Sequence, residues 1–229
     1  QMLDQVLELF EIQPDYDLDL MSPGQDLFDI TARSLLGLRD VLRKDRPDLV
    51  LVHGDTTTCF SAALAAFYEN IPVGNVEAGL RTGDRRAPFR KEANRSLVGR
   101  IASYHFFSTE SSRQNLLKEN IDDQSITVTG NTVIDALLMV RDKVNAYSVD
   151  HWPRHFETDL YKRITDQSRK LILITGHRRE NFGQGFLDLC QAIKDIASRH
   201  PDWDLLYPVH LNPNVQKPVY EVLEGLDNV

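Results

Sequence analysis

The sequence predicts an α/β fold in which short parallel strands alternate with amphipathic helices. Three observations predict it: apolar residues at helical spacing, short apolar runs between those stretches, and loops with glycine and acidic residues where the runs end. Residues 25–44 place Leu27, Ile30, Leu35, Leu38, Val41 and Leu42 on one helical face, and Arg46-Pro47-Asp48 stops the helix. The run 49–52 that follows is apolar on both faces, as a parallel strand covered by helices on each side requires. Residues 56–68 then read as a crossover helix.

The cycle repeats with a strand at 71–76, a helix at 88–102, a strand at 104–107, a helix at 109–118 and a strand at 126–129. Gly130-Asn131-Thr132 opens a further helix through Val133, Leu137 and Val140. Residues 145–167 are polar, contain Trp152-Pro153, and read as a connector between lobes. A second series opens with a strand at 170–174 that ends in Thr175-Gly176-His177-Arg178-Arg179-Glu180. A helix with Phe186, Leu189, Ile193 and Ile196 follows, then a strand at 205–209 that runs into His210-Leu211-Asn212-Pro213-Asn214.

The expected organisation is a first lobe at 1–150, a connector at 151–168 and the start of a second lobe at 169–229. The chain has 229 residues, long for one compact domain and short for two complete α/β domains. It opens at Gln1 inside an amphipathic run (Leu3, Val6, Leu7, Phe10), and the second lobe has too few elements to close a sheet. Both features predict a longer protein around these residues.

The formal net charge of −8 argues against a nucleic-acid or anionic-membrane partner, either of which rewards a concentrated basic patch. The only cysteines, Cys59 and Cys190, lie far apart in helical patterns, which excludes a disulfide framework and fits a reduced, cytoplasmic protein. No apolar run reaches the length that crosses a bilayer, and no charged leader precedes a short hydrophobic stretch.

Two acidic residues follow neighbouring strands, Asp55 in His53-Gly54-Asp55-Thr56-Thr57-Thr58 and Glu77 in Val76-Glu77-Ala78-Gly79-Leu80-Arg81-Thr82-Gly83. Residues just past the carboxyl ends of parallel strands converge on one ligand crevice, so two carboxylates there point to acid–base chemistry. Asp55 has an alternative role as the cap of the next helix, a role Thr56, Thr57 or Thr58 also fills. No helix starts directly after Glu77, which leaves it in need of solvent, a cation or a substrate. Gly79 and Gly83 allow close backbone approach, and Arg81 is suited to an anion such as a phosphate.

His177, Arg178 and Arg179 sit where a second lobe would face the first; for Arg179 with Glu180 a solvated loop is the simpler reading. His210 also follows a strand end. No paired histidines at helical spacing and no cysteine cluster accompany them, so no metal is predicted. A Gly-x-Gly-x-x-Gly turn and a Gly-Lys-Ser/Thr loop are both missing, as is a Ser or Cys nucleophile paired with a base. From the residues alone, the chain is a cleft enzyme with acid–base groups and anion-binding arginines.

Six motifs in one order carry the reading further: His53-Gly54-Asp55-Thr56-Thr57-Thr58, Val76-Glu77-Ala78-Gly79-Leu80-Arg81-Thr82, Glu92-Ala93-Asn94-Arg95, Gly130-Asn131-Thr132-Val133-Ile134-Asp135, Thr175-Gly176-His177-Arg178-Arg179-Glu180-Asn181 and Tyr207-Pro208-Val209-His210-Leu211-Asn212-Pro213-Asn214. Together they resemble the bacterial non-hydrolysing UDP-N-acetylglucosamine 2-epimerases over nearly the whole chain. The resemblance implies two Rossmann-like lobes of GT-B type, here without the first strand of the N-terminal lobe and most of the C-terminal lobe. It also implies a cytoplasmic homodimer with no cofactor that interconverts UDP-GlcNAc and UDP-ManNAc for cell-surface polysaccharide synthesis. The implied route is anti elimination of UDP to 2-acetamidoglucal, then re-addition after the proton returns to the opposite face. By position, Asp55, Glu77 and His177 match the family's active-site residues. Gln1, Gln25, Arg178 and His210 match residues that bind a second, activating UDP-GlcNAc in some members.

One position departs from the resemblance. The family reads Pro-Phe/Trp-Pro-Glu-Glu before its Asn-Arg, whereas this chain reads Pro88-Phe89-Arg90-Lys91-Glu92-Ala93-Asn94-Arg95. Lys91 replaces an active-site glutamate, and Glu92 points about 100° away on a helix. Lys91 also makes a like-charge pair with Arg95 four residues on. Either the helix start is rebuilt, or the site is altered, or Lys91 points to solvent. The family's Gly-Thr-Arg-Pro-Glu loop and Asp-Ser-Gly-Gly-x-x-Glu-Glu segment do not occur here. Two further functions stay open, a GT-B glycosyltransferase and a non-catalytic nucleotide-sugar-binding relative.

Overall fold

Helices and strands alternate along the chain as the sequence predicts. The computed structural model describes residues 2–176 and 183–229, which divide into two units, Gln1–Leu138 and Met139–Val229. In the first unit the order is α1 (Met2–Leu9), α2 (Leu27–Asp45), β1 (Val50–His53), α3 (Thr57–Tyr68), β2 (Val73–Val76), α4 (Lys91–Ile101), β3 (Tyr104–Phe107), α5 (Glu110–Lys118) and β4 (Ile126–Val128). Helix α6 (Thr132–Ala146) runs across the division. The second unit holds α7 (Thr158–Thr165), β5 (Lys170–Leu173), α8 (Gln184–Arg199), β6 (Trp203–Leu206) and α9 (Pro213–Leu223). Among the described residues, no helix is long and apolar enough to cross a membrane.

The first unit's sheet is parallel, in the order β1-β2-β3-β4. Its register pairs His53 with Val76 at the ends of β1 and β2, so the loops after both strands leave the sheet side by side. Local chemistry sets the helices that cross between strands. Asp26 caps α2 by accepting from the Phe28 and Asp29 amides, and the Asp29 carboxylate returns a bond to the Asp26 amide. Such a cap stabilises a helix by about 1 kcal/mol. Arg46, in the left-handed conformation, closes α2 before Pro47.

Helix α3 is built for close packing. Ala63, Ala65 and Ala66 are buried, so neighbouring backbones approach without displacing larger side chains. Around them Leu42, Val52, Cys59, Ile71, Val73 and Val98 form the core of the first unit. A smaller cluster of Ala78, Phe107 and Leu116 seats α5 against the sheet.

In the second unit β5 and β6 pair in parallel, Lys170 with Trp203 through Leu173 with Leu206. Helix α8 buries Phe186, Cys190, Ile193 and Ala197 at three- and four-residue spacing against Leu205, Val215, Val219 and Leu223. Asp204 is buried between Arg163 and Arg169. Burial raises its carboxyl, but the hydrogen bonds from Arg169 and Arg163 prevail and hold it below the usual carboxylate range.

Element edges shift where the backbone cannot comply. Strand β6 occupies Trp203–Leu206 instead of 205–209, ending before Pro208, which has no amide to donate to a ladder. Helix α4 starts at Lys91 instead of 88, because Arg90 sits at φ 65°, outside helical space. Residues 145–167 hold a 3-10 turn at Val149–Arg154 and helix α7.

Candidate active site

The ends of β1 and β2 bring Asp55 and Glu77 together. After β1, Gly54 adopts φ 80°, a conformation open to glycine, and its amide donates to the Val76 carbonyl at 3.3 Å. A side chain built on Gly54 would meet Glu77 Oε2 at 3.6 Å, so the Glu77 carboxylate lies beside the backbone that carries Asp55. Cys59 reads both charges: its thiol, which donates to the Gly54 carbonyl at 3.3 Å, is pushed up to about 11, chiefly by burial and further by Asp55 and Glu77.

Asp55 is not the helix cap. Thr56 caps α3, its side chain accepting from the Cys59 amide at 3.2 Å. The Asp55 carboxylate turns to α4 instead. Its Oδ2 accepts from Arg95 Nη2 at 2.7 Å, and Lys91 Nζ lies 3.7 Å from Oδ1. Asn94 Nδ2 donates to the Asp55 carbonyl at 2.9 Å. Lys91 is therefore at the site rather than turned fully away, although about half of its side chain is exposed.

Glu77 stands at φ 66°, in left-handed space that a non-glycine residue enters only under constraint. The next amide, Ala78, is held by the Phe106 carbonyl at 2.9 Å, which fixes the turn. Glu77 is partly exposed and its carboxylate has no hydrogen bond or ion pair among the described residues. Glu92, one residue after Lys91, is buried at 3 % exposure; its Oε1 accepts from the Gly83 amide at 3.2 Å, and its Oε2 is 3.6 Å from Arg95 Nη1.

Arg81 corrects the sequence reading. Its guanidinium is closed by a bidentate pair with Glu119 at 2.6 and 2.9 Å and a bond to the Leu80 carbonyl, with 9 % of the side chain exposed. It braces α5 and is not placed to meet an anion. Gly79 likewise serves packing: a Cβ there would fall 2.3 Å from the Ser112 carbonyl oxygen.

The remaining candidates are spread over both units. Gln25, before α2, accepts from the Ser22 amide through Oε1 at 2.6 Å. His210, in the second unit, accepts from the Asn212 amide through Nδ1 at 3.0 Å, beside the Asn212 cap of α9. Gln1, His177 and Arg178 lie outside the described residues. Among the described residues, no group of three or more His, Cys, Asp or Glu is placed to hold a metal ion. A cavity of about 490 Å³ in the second unit, lined by Leu171, Leu206, Tyr207 and Val219 among others, holds none of the candidate residues. Of the candidates, Asp55 and Glu77 are the ones brought together, beside the start of α4. Sequence reasoning missed Arg95 and Asn94 as partners of Asp55, though both stand in a motif it had marked.

Comparison with known proteins supplies the family. The family model described as UDP-N-acetylglucosamine 2-epimerase matches residues 1–229. The UDP-N-acetylglucosamine 2-epimerase of Yersinia pestis is 57% identical over 231 residues, covering 100% of this chain and 60% of the relative. That of Escherichia coli (strain K12) is 57% identical over 229 residues, again covering 100% of this chain and 60% of the relative. Among solved structures, the UDP-GlcNAc 2-epimerase of Neisseria meningitidis bound to UDP-GlcNAc superposes with a TM-score of 0.91 at 47% identity, covering 100% of this chain and 60% of that one. The S. aureus MnaA structure with UDP superposes with a TM-score of 0.84 at 40% identity, covering 100% and 57%. The α/β architecture is thus of the GT-B type, and the chain spans about 60% of the length of the curated relatives it matches.

Proposed function

We propose, from the premise that this chain belongs to the UDP-N-acetylglucosamine 2-epimerase family, that its protein interconverts UDP-GlcNAc and UDP-ManNAc. The observation that carries the reading is the pair of carboxylates at the ends of β1 and β2, one clamped by a cation and one left without a partner. The C2 proton of the sugar is weakly acidic. Removing it on one face and restoring it on the other needs two ionisable groups, and Asp55 and Glu77 are the two at hand.

In the proposed reaction a base takes the C2 proton, the C–H electrons form the C1–C2 double bond, and the C1–oxygen bond breaks to release UDP. The intermediate is 2-acetamidoglucal. A proton then adds to C2 from the opposite face while a UDP oxygen returns to C1, so atoms and electrons balance without a cofactor. His177 is assigned near the departing UDP, and Gln1, Gln25, Arg178 and His210 to a second, activating UDP-GlcNAc. UDP-ManNAc as product, a homodimer, a cytoplasmic location and a role in cell-surface polysaccharide synthesis belong to the same reading.

The test is conversion of UDP-GlcNAc to UDP-ManNAc, followed by proton NMR in the natural protein and in Asp55→Asn and Glu77→Gln. Each substitution is expected to lower kcat about a hundredfold or more, the usual contribution of a general acid or base. Turnover that survives both substitutions would remove these residues from the chemistry. One observation favours a second reading, a nucleotide-sugar-binding relative with altered chemistry: Lys91 Nζ stands 3.7 Å from the Asp55 carboxylate. On that reading UDP-GlcNAc binds and is not converted.

A further inference from the structure

We infer that Arg95 is the positioning residue of Asp55, that Glu92 in turn fixes Arg95, and that Asp55 Oδ1 is the oxygen left free for proton transfer. The inference rests on the reading of Asp55 as a reacting group. Asp55 lies on a loop, and its own loop does nothing to orient it, since Thr56 has taken the capping role. A carboxylate free to rotate forfeits the alignment that proton transfer demands. Helix α4 supplies what the loop lacks.

Asn94 fixes the Asp55 backbone through its carbonyl at 2.9 Å, and Arg95 fixes the side chain through Oδ2 at 2.7 Å. Both partners of the ion pair are sheltered, at 17% exposure for Arg95 and 14% for Asp55, so the contact is a charge-assisted hydrogen bond rather than a loose surface pair. Glu92 accounts for the orientation of Arg95. It is a buried carboxylate with Oε1 bonded to the Gly83 amide and Oε2 without a hydrogen bond. Burying such a charge is costly unless a cation lies near, and Arg95 Nη1 at 3.6 Å is that cation. The three-residue spacing of Glu92 and Arg95 puts them on one helix face, so α4 holds the pair rigidly.

The two Asp55 oxygens are thereby made different. Oδ2 is bound by a partly buried guanidinium, whereas Oδ1 lies 3.7 Å from the half-exposed Lys91, beyond hydrogen-bond length.

The experiment compares Arg95→Gln, Arg95→Lys and Glu92→Gln in the natural protein, with Arg113→Gln, an exposed pair partner on α5, as control. For Arg95→Gln, kcat for UDP-GlcNAc conversion should fall roughly tenfold to a hundredfold with KM nearly unchanged, the pattern of a misplaced reacting group. Arg95→Lys should restore part of kcat, and Glu92→Gln should show a smaller fall of the same kind. An unchanged kcat, or a rise in KM alone, would overturn the inference. A second readout does not depend on turnover: the carboxyl 13C resonance of Asp55, assigned by its loss in Asp55→Asn. It should move in Arg95→Gln or Arg95→Lys and stay in place in Arg113→Gln; a resonance unmoved by Arg95 substitution overturns the inference. Absence of conversion by the unsubstituted protein counts against the functional reading instead, and the carboxyl resonance still decides the positioning role.

Discussion

Asp55 and Lys91 show how far one residue's neighbours redefine it. In sequence, Asp55 stood between capping and catalysis; the structure gives the cap to Thr56 and the Asp55 carboxylate to Arg95 and Lys91. That choice was illegible because Arg95 is 40 residues away and reaches Asp55 only through the packing of α4. Arg81 failed as an anion site for the same reason, its partner Glu119 lying 38 residues on. On the proposed function, Lys91 is the residue whose substitution tests activity most pointedly. A lysine ammonium near Oδ1 competes for the oxygen that should exchange a proton, and the family resemblance places a glutamate there. Lys91→Glu is expected to raise epimerase kcat about tenfold or more, measured as UDP-ManNAc formed under saturating UDP-GlcNAc. An unchanged kcat would show that Lys91 is no handicap.

At the level of elements, the strands and helices were legible because their periodicity is strong, and the misses fall where single residues override it. Pro208 ends β6 early, and the left-handed Arg90 delays α4. Strand β3 carries a feature that pattern reading did not expose. His105 is buried at 1% exposure and its Nδ1 has no hydrogen bond among the described residues. Burial pushes its pKa below the ordinary 6.5 and the charge of Arg81 adds to this, while a backbone hydrogen bond at Ala102 and the charge of Glu119 oppose it. The folded value being the lower one, the unfolded chain takes up the proton first as pH falls. The neutral ring's contribution to stability is thus present above 6.5 and lost as pH falls through the folded value. Urea midpoints measured from pH 7 down to about 5 should decline, and the decline should be shallower in His105→Gln. Equal slopes would contradict this assignment.

For the molecule as a whole, the fold class was readable from alternation of helices and strands, and the family from six ordered motifs. What those motifs could not give was geometry: which carboxylate is clamped, which is free, and which cation serves which anion. The first unit brings Asp55, Glu77, Arg95 and Lys91 to the carboxyl end of one parallel sheet, and that assembly underlies the functional proposal. The central claim is that a proton leaves and returns at C2 of UDP-GlcNAc. Incubating the natural protein with UDP-GlcNAc in deuterated water tests it most directly, with NMR locating the label. Deuterium at C2 of both recovered UDP-GlcNAc and newly formed UDP-ManNAc is the result expected; substrate that is bound yet recovered with C2 fully protonated would contradict the account.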